Sequence, residues 1–171
     1  MQKYLIKENT LAIIGKNDSS IIMENKNSFK IPVKSLILID ESCKYYGSSL
    51  KGRREGSNFL LGNNYKVPII IDEYRETIFF PTSSYNNVDN IWINYKQIEK
   101  YFGSEYQTII IFKNNQKLTI KLSNKIVNRQ VLKSSRLESI LKSKKRWFCF
   151  FLYVFYVIIN MWWGVRENKN I

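Results

Sequence analysis

Short apolar blocks recur along the chain with polar punctuation between them: Tyr4 to Ile6, Leu11 to Ile14, Ile21 to Met23, Ile69 to Ile71, Ile78 to Phe80, Ile91 to Ile93, Ile109 to Phe112 and Leu118 to Leu122. Their length and their wealth of Ile and aromatic residues predict strands. Pro68 precedes one block and Pro81 follows another, positions where a missing backbone N–H costs a ladder least. Asp72 to Glu76 and Lys113 to Gln116 read as hairpin connections, the second with Asn residues that tolerate left-handed turns.

Two segments carry a helical period instead. Between Pro32 and Gly47, the residues Leu36, Ile39, Cys43 and Tyr46 recur at steps of three, four and three, and Gly47 stands where a helix takes a left-handed terminator. Ile37 and Leu38 fall off that stripe, so a strand over Leu36 to Ile39 competes with the helix. From Asn124 to Lys142, Ile126, Val127, Val131, Leu137 and Leu141 fall in one sector of a helical wheel, with Lys125, Arg129, Lys133 and Arg136 opposite. That basic back is either a solvated face or a phosphate-contacting surface. The pattern predicts an α+β fold: a strand-rich mixed or antiparallel sheet, one or two packed helices, and a hydrophobic C-terminal segment. It divides the chain into a domain over 1–141 and a tail over 142–171.

The tail breaks with what precedes it. Trp147 to Val165 is uncharged and as a helix would measure about 29 Å, close to the thickness of a hydrocarbon core. Lys142, Lys144, Lys145 and Arg146 precede it, which under the positive-inside rule leaves the N-terminal part cytoplasmic. Tyr153, Tyr156 and Asn160 lie inside the run. A membrane anchor, a buried or dimerising segment, and a terminus produced by a changed reading frame all remain open, so a membrane is a candidate partner through this tail.

Composition narrows the function. The 171 residues include 27 Lys+Arg against 14 Asp+Glu, a formal charge of +13, which points to a polyanionic partner, nucleic acid or an acidic membrane face. There is no His, which removes imidazole relays and His-containing metal sites, and the two cysteines, Cys43 and Cys149, have no metal or redox spacing. A reducing cytoplasm is expected, and the N-terminus lacks the apolar run of a cleaved export signal.

Individual motifs add little catalytic chemistry. Gly47 to Arg54 places two glycines five apart before a basic pair, but Arg53 and Arg54 occupy the positions where a phosphate-binding loop needs Lys and a Ser/Thr hydroxyl. The carboxylate pairs Asp40-Glu41 and Asp72-Glu73 are sequence neighbours whose side chains diverge. No nucleophile has a visible base, so neither an enzyme nor a cofactor is expected. The cluster Lys44, Lys51, Arg53 and Arg54, interleaved with Tyr45 and Tyr46, suits a nucleic-acid surface.

The residues from Ile39 to Ser49 (IDESCKYYGSS), with Gly52-Arg53, Pro68-Ile69-Ile70, Phe79-Phe80-Pro81-Thr82 and Ile91-Trp92-Ile93, resemble the ComK competence transcription factors of Gram-positive bacteria. A weaker likeness continues through Phe112, Lys117 and Gln130-Val131 and departs beyond about Leu137. The resemblance implies a cytoplasmic DNA-binding activator of DNA-uptake genes. It would recognise paired A/T-rich boxes mainly through the minor groove, as a dimer or pair of dimers, with an adaptor and protease and RNA polymerase as further partners. On this reading Arg53 or Arg54 enters the groove, while Lys44, Lys51, Arg129 and Lys133 meet phosphates. Ser42, Cys43 and Gly47 are expected to serve structure, and Trp92 to anchor the core.

Overall fold

The structure, a computed structural model, describes residues 4–62 and 65–167, with side chains described throughout except at 148–152 and 160–167. Two compact units divide the chain, residues 1–137 and 138–171.

In the first unit, β1 (Thr10–Lys16), β2 (Ser19–Glu24), β3 (Ser28–Ile31), β4 (Ile69–Asp72), β5 (Thr77–Pro81) and β6 (Ile91–Asn94) form one sheet in the order β3-β2-β1-β6-β5-β4. A second sheet joins β7 (Ile98–Gly103), β8 (Thr108–Phe112) and β9 (Lys117–Ile120) in chain order. Every pairing is antiparallel. The expected α+β class is what the chain adopts, with two sheets in place of one. Helices α1 (Ser35–Tyr45) and α2 (Leu50–Leu61) fall between β3 and β4, and α3 (Asn124–Glu167) begins after β9.

Two hydrophobic layers share the large sheet. Ala12, Phe80 and Ile93 are cross-strand neighbours that pack with Ile110, Phe112 and Ile120 of the second sheet and Val127 of α3. Alternation sends Ile13, Phe79 and Trp92 to the other face, and all three are fully buried. Because both faces are covered, β4, β5 and most of β6 read as continuous apolar runs rather than alternating ones.

The helix predicted before Gly47 is present, but its buried stripe is Ser35, Leu38, Ile39, Ser42 and Cys43, rotated from the expected Leu36, Ile39, Cys43 and Tyr46. Two small polar residues cause the shift. Ser42 is buried because its Oγ accepts a hydrogen bond from the Ile6 backbone N–H at 3.1 Å, so an apolar count misses it. Gly47 terminates α1 at φ +81°, with Ser48 N–H bonded to Cys43 O and Gly47 N–H to Lys44 O, both at 3.0 Å.

Tyr4 to Ile6 is not a strand. Ile6 is apolar because it is buried against the fold, and the hydrogen bond to α1 replaces a ladder. The last predicted strand ends at Ile120 rather than Leu122. In α3 the buried face up to Leu137 is Val127, Gln130, Ser134 and Leu137, while Ile126 is exposed. Ser134 Oγ donates to the Gln130 backbone carbonyl at 2.9 Å, which lets the serine side chain occupy that face.

In the second unit α3 continues from Glu138, where Glu138 Oε1 pairs with Lys142 Nζ at 2.7 Å. Among the described residues no helix is long and apolar enough to cross a membrane. The expected span Trp147 to Val165 is helical, but the side chains of 148–152 and 160–165 lie outside the described residues. Those of Tyr153 to Ile159 are exposed.

Candidate nucleic-acid interface

The cationic residues singled out from sequence fall into two groups, and the joint between α1 and α2 organises the first. The four residues Tyr46 to Ser49 connect these helices. Ser49 caps α2, its Oγ accepting from Gly52 N–H at 3.1 Å, and Asp40 of α1 accepts from Leu50 N–H at 2.8 Å. Asp40 also pairs with Lys44 one turn later, Nζ to Oδ2 at 2.7 Å. The Lys44 ammonium and then the Leu50 N–H hold the Asp40 carboxyl below its ordinary range, and Lys44 is correspondingly held above its own. One carboxylate thus closes the start of α2 and occupies the charge of Lys44.

Arg53 and Arg54 are adjacent and face different surroundings. The Arg53 side chain is 10% exposed, its Nη1 paired with Glu73 in the β4–β5 turn and its Nη2 donating to Tyr46 O at 3.0 Å. It ties the end of α1 to the sheet. Arg54 lies on the surface, its guanidinium carbon 4.9 Å from the centroid of the Tyr85 ring. Tyr85 is itself fixed: its ring meets Trp92 edge-on at 5.3 Å, and its hydroxyl donates to Val67 O. Burial, only partly offset by Arg54, pushes the Tyr85 phenol up, so it stays neutral under the cation. The buried Trp92 therefore anchors the core, as expected, and supports an oriented surface arginine through one intervening ring.

Lys44, Lys51 and Arg54 line one cleft of about 820 Å³ between α1 and α2, whose walls include Ile37, Leu50 and Tyr85. Asp40, Glu41 and Glu55 share the cleft, so its charge is mixed.

The second group lies at α3. Lys133 is half-buried and its Nζ donates to Tyr65 O at 3.1 Å, beyond the C-terminal end of α2. Burial lowers the Lys133 ammonium below its ordinary range, and the charges of Arg129 and Lys66 lower it further. Lys66 stacks 5.0 Å over the Tyr65 ring. Arg129 and Lys66 are thus each close enough to repel the Lys133 charge, and among the described residues no ion pair joins a carboxylate to any of the three. Such a cluster favours an anion. Lys66 and Tyr85 were absent from the sequence-level candidates because neither belongs to a charge run or helical stripe; only folding places them.

Cys43 is fully buried, and its thiol is pushed up to about 12 by that burial, so it supplies no thiolate near neutrality. Arg54 and Lys51, with Arg129, Lys133 and Lys66, offer charge-assisted donors suited to phosphate oxygens.

Comparison with known proteins adds a lineage to this geometry. The competence transcription factor of Bacillus subtilis (strain 168) is 27% identical over 145 residues, covering 81% of this chain and 75% of that protein. No solved structure gives a significant match. Residues 1–146 match the family described as ComK protein, continuing past the expected departure at Leu137 to the residue before Trp147. The chain belongs to the ComK family.

Proposed function

We propose that the protein is a competence transcription regulator that acts in the cytoplasm by binding A/T-rich duplex DNA, chiefly through the minor groove, as a dimer or pair of dimers. Family membership across residues 1–146 is the observation that carries this reading. The paired cationic groups support the DNA-contact part. Arg54, held over Tyr85, is the residue that enters the groove; Lys51, Arg129 and Lys133 neutralise phosphates, with Lys66 beside them. Lys44 contributes less because Asp40 occupies its ammonium, and Arg53 serves the fold rather than the groove.

The physical basis is groove shape. A/T tracts narrow the minor groove and deepen its negative potential, which favours an inserted guanidinium, while phosphate neutralisation supplies sequence-independent affinity. Activation of the DNA-uptake genes follows from binding beside their promoters.

A mobility-shift titration over a range of salt concentrations tests this reading. The expected result is a shift on A/T-rich duplex that survives G/C-rich competitor and weakens steeply as salt rises. Arg54→Ala is expected to lose the preference between duplexes, whereas Arg129→Ala weakens binding to both alike. Equal binding of wild type to both duplexes at every salt concentration overturns the minor-groove reading.

A further inference from the structure

The second sheet buries one face and turns the other outward. Its inner face carries Ile110, Phe112 and Ile120 into the core, with Tyr101 and Leu118 packed beside them. The Tyr101 hydroxyl donates to Asn128 Oδ1 of α3 at 2.7 Å, which pins the register of β7. Alternation then sends two cross-strand rows outward, Phe102 with Ile109 and Thr119, and Lys100 with Ile111 and Lys117. Phe102 is 50% exposed, both lysines and Thr119 are exposed, and the two isoleucines between them are half-buried. Glu99 falls in the β7 bulge and Glu105 in the β7–β8 connection, outside both rows. Among the described residues no carboxylate pairs with Lys100 or Lys117.

We propose that this face binds single-stranded DNA, with a base stacked on Phe102 and neighbouring phosphates held by Lys100 and Lys117. Charge and ring together select the occupant. A second copy meeting the face about a two-fold axis would set these lysines against the same lysines, which is repulsive. A duplex satisfies the lysines through its phosphates but keeps the faces of its bases stacked inside the helix, out of reach of the ring. A single strand supplies both, phosphates for the ammonium groups and an unstacked base for the aromatic side chain. Of the six outward side chains only Thr119 has an oxygen to accept from a ribose 2′-hydroxyl, so deoxyribose suits the face.

The spacing is that of a strand crossing the sheet. Lys100 lies two residues, about 7 Å, from Phe102 along β7, and Lys117 lies about 10 Å from Lys100 across three strands. Tyr106, 83% exposed in the β7–β8 connection, stands at the Phe102 end of the sheet, where the next base would lie. None of these residues belongs to the cationic groups on α2 and α3, so the proposal stands or falls apart from the duplex reading.

The test titrates the full chain into a labelled oligothymidylate, which does not self-pair, and in parallel into the A/T-rich duplex. Phe102→Ala, with folding checked by its unfolding midpoint, is expected to weaken single-strand binding about tenfold, the loss of one base–aromatic stack, and to leave duplex binding unchanged. Phe102→Leu, apolar but without a ring, should lose as much, whereas Phe102→Tyr should bind like wild type. Replacing Lys100 and Lys117 together by Gln should make the log–log salt slope shallower by about 1.4 for the single strand, at about 0.7 per phosphate, and leave the duplex slope as it is. Failure of wild type to bind the oligothymidylate overturns the proposal and leaves the duplex reading untouched. Full binding by Phe102→Leu overturns the stacking, and equal losses on single strand and duplex assign the face to the duplex instead. A changed oligomeric state in sedimentation with single-strand binding intact makes it a contact between copies, and tighter binding of oligouridylate RNA replaces DNA by RNA; either result overturns the proposal.

Discussion

Helices α1 and α2 are consecutive, of similar length and joined by four residues, yet they do opposite work. Helix α1 buries Ser35, Leu38, Ile39, Ser42 and Cys43, whereas α2 buries only Ser57 and Leu61. What holds α2 in place is concentrated in a few contacts: Ser49 and Asp40 at its start, the Arg53 ties to Tyr46 and Glu73, and Gly62 in left-handed geometry at its end. The difference teaches that the fold's stability is invested in the first helix so that the second can present an uncovered face.

The largest expected effect lies in α1. Ile39→Ala opens a hole under a fully buried position and should destabilise the protein by about 2–5 kcal/mol, measured by denaturant unfolding. Arg53→Ala comes next, at about 1–3 kcal/mol, because it leaves the part-buried Tyr46 carbonyl without its donor and unties α2 from the β4–β5 turn. Its neighbour should behave differently: Arg54→Ala is expected to leave the unfolding midpoint nearly unchanged while altering DNA binding. Equal destabilisation by the two arginine changes would erase the distinction between an inner and an outer arginine.

Gly56→Ala should act with the opposite sign. It is expected to stabilise the protein by about 0.4–1 kcal/mol, because open space awaits the methyl group. An unfolding midpoint no higher than that of wild type would show that the space around Gly56 is not free to accept a side chain.

The smallest effect concerns acid. Lys44 and the Leu50 N–H hold Asp40 below its ordinary range, so the charged carboxylate stabilises the native state above the unfolded value of about 3.9. That contribution is lost as pH falls through the depressed folded value. Unfolding midpoints recorded from pH 6 downward should therefore drop less steeply below about pH 4 in Asp40→Asn than in wild type. Identical slopes would mean that the link from α1 to the start of α2 carries no electrostatic stabilisation.

The readable parts of this fold were those in which one signal dominates. Ile69 to Ile71, Ile78 to Phe80 and Ile91 to Ile93 are apolar on both faces because helices cover one side of the sheet and the second sheet the other. The turn after Phe112 was marked by Asn115, which has φ +66°. Strands β3 and β7 escaped notice because each is an edge strand, mostly exposed and carrying Lys30 or Glu99 and Lys100, so neither contrasts with a loop. Helix α2 escaped because Gly52 and Gly56 depress its helical propensity, although Ser49 and Gly62 mark its two ends.

The candidate site could be nominated from charge but not arranged. Charge alone nominated Lys44, Lys51, Arg53, Arg54, Arg129 and Lys133, but could not separate Arg53 from Arg54, since their orientations depend on Glu73 and Tyr85 in distant loops. The helical wheel left open whether Lys133 belongs to a solvated face or a phosphate-contacting one and gave no sign that burial and its bond to Tyr65 hold it near Arg129 and Lys66.

Competition binding with wild-type protein tests the central claim most directly. Protein bound to a fluorescent A/T-rich duplex is challenged with unlabelled duplexes of either composition at moderate salt. A/T-rich competitor is predicted to displace the probe at concentrations at least tenfold below those needed for G/C-rich competitor. Displacement at equal concentrations would reduce the protein to a nonspecific polycation and contradict the account.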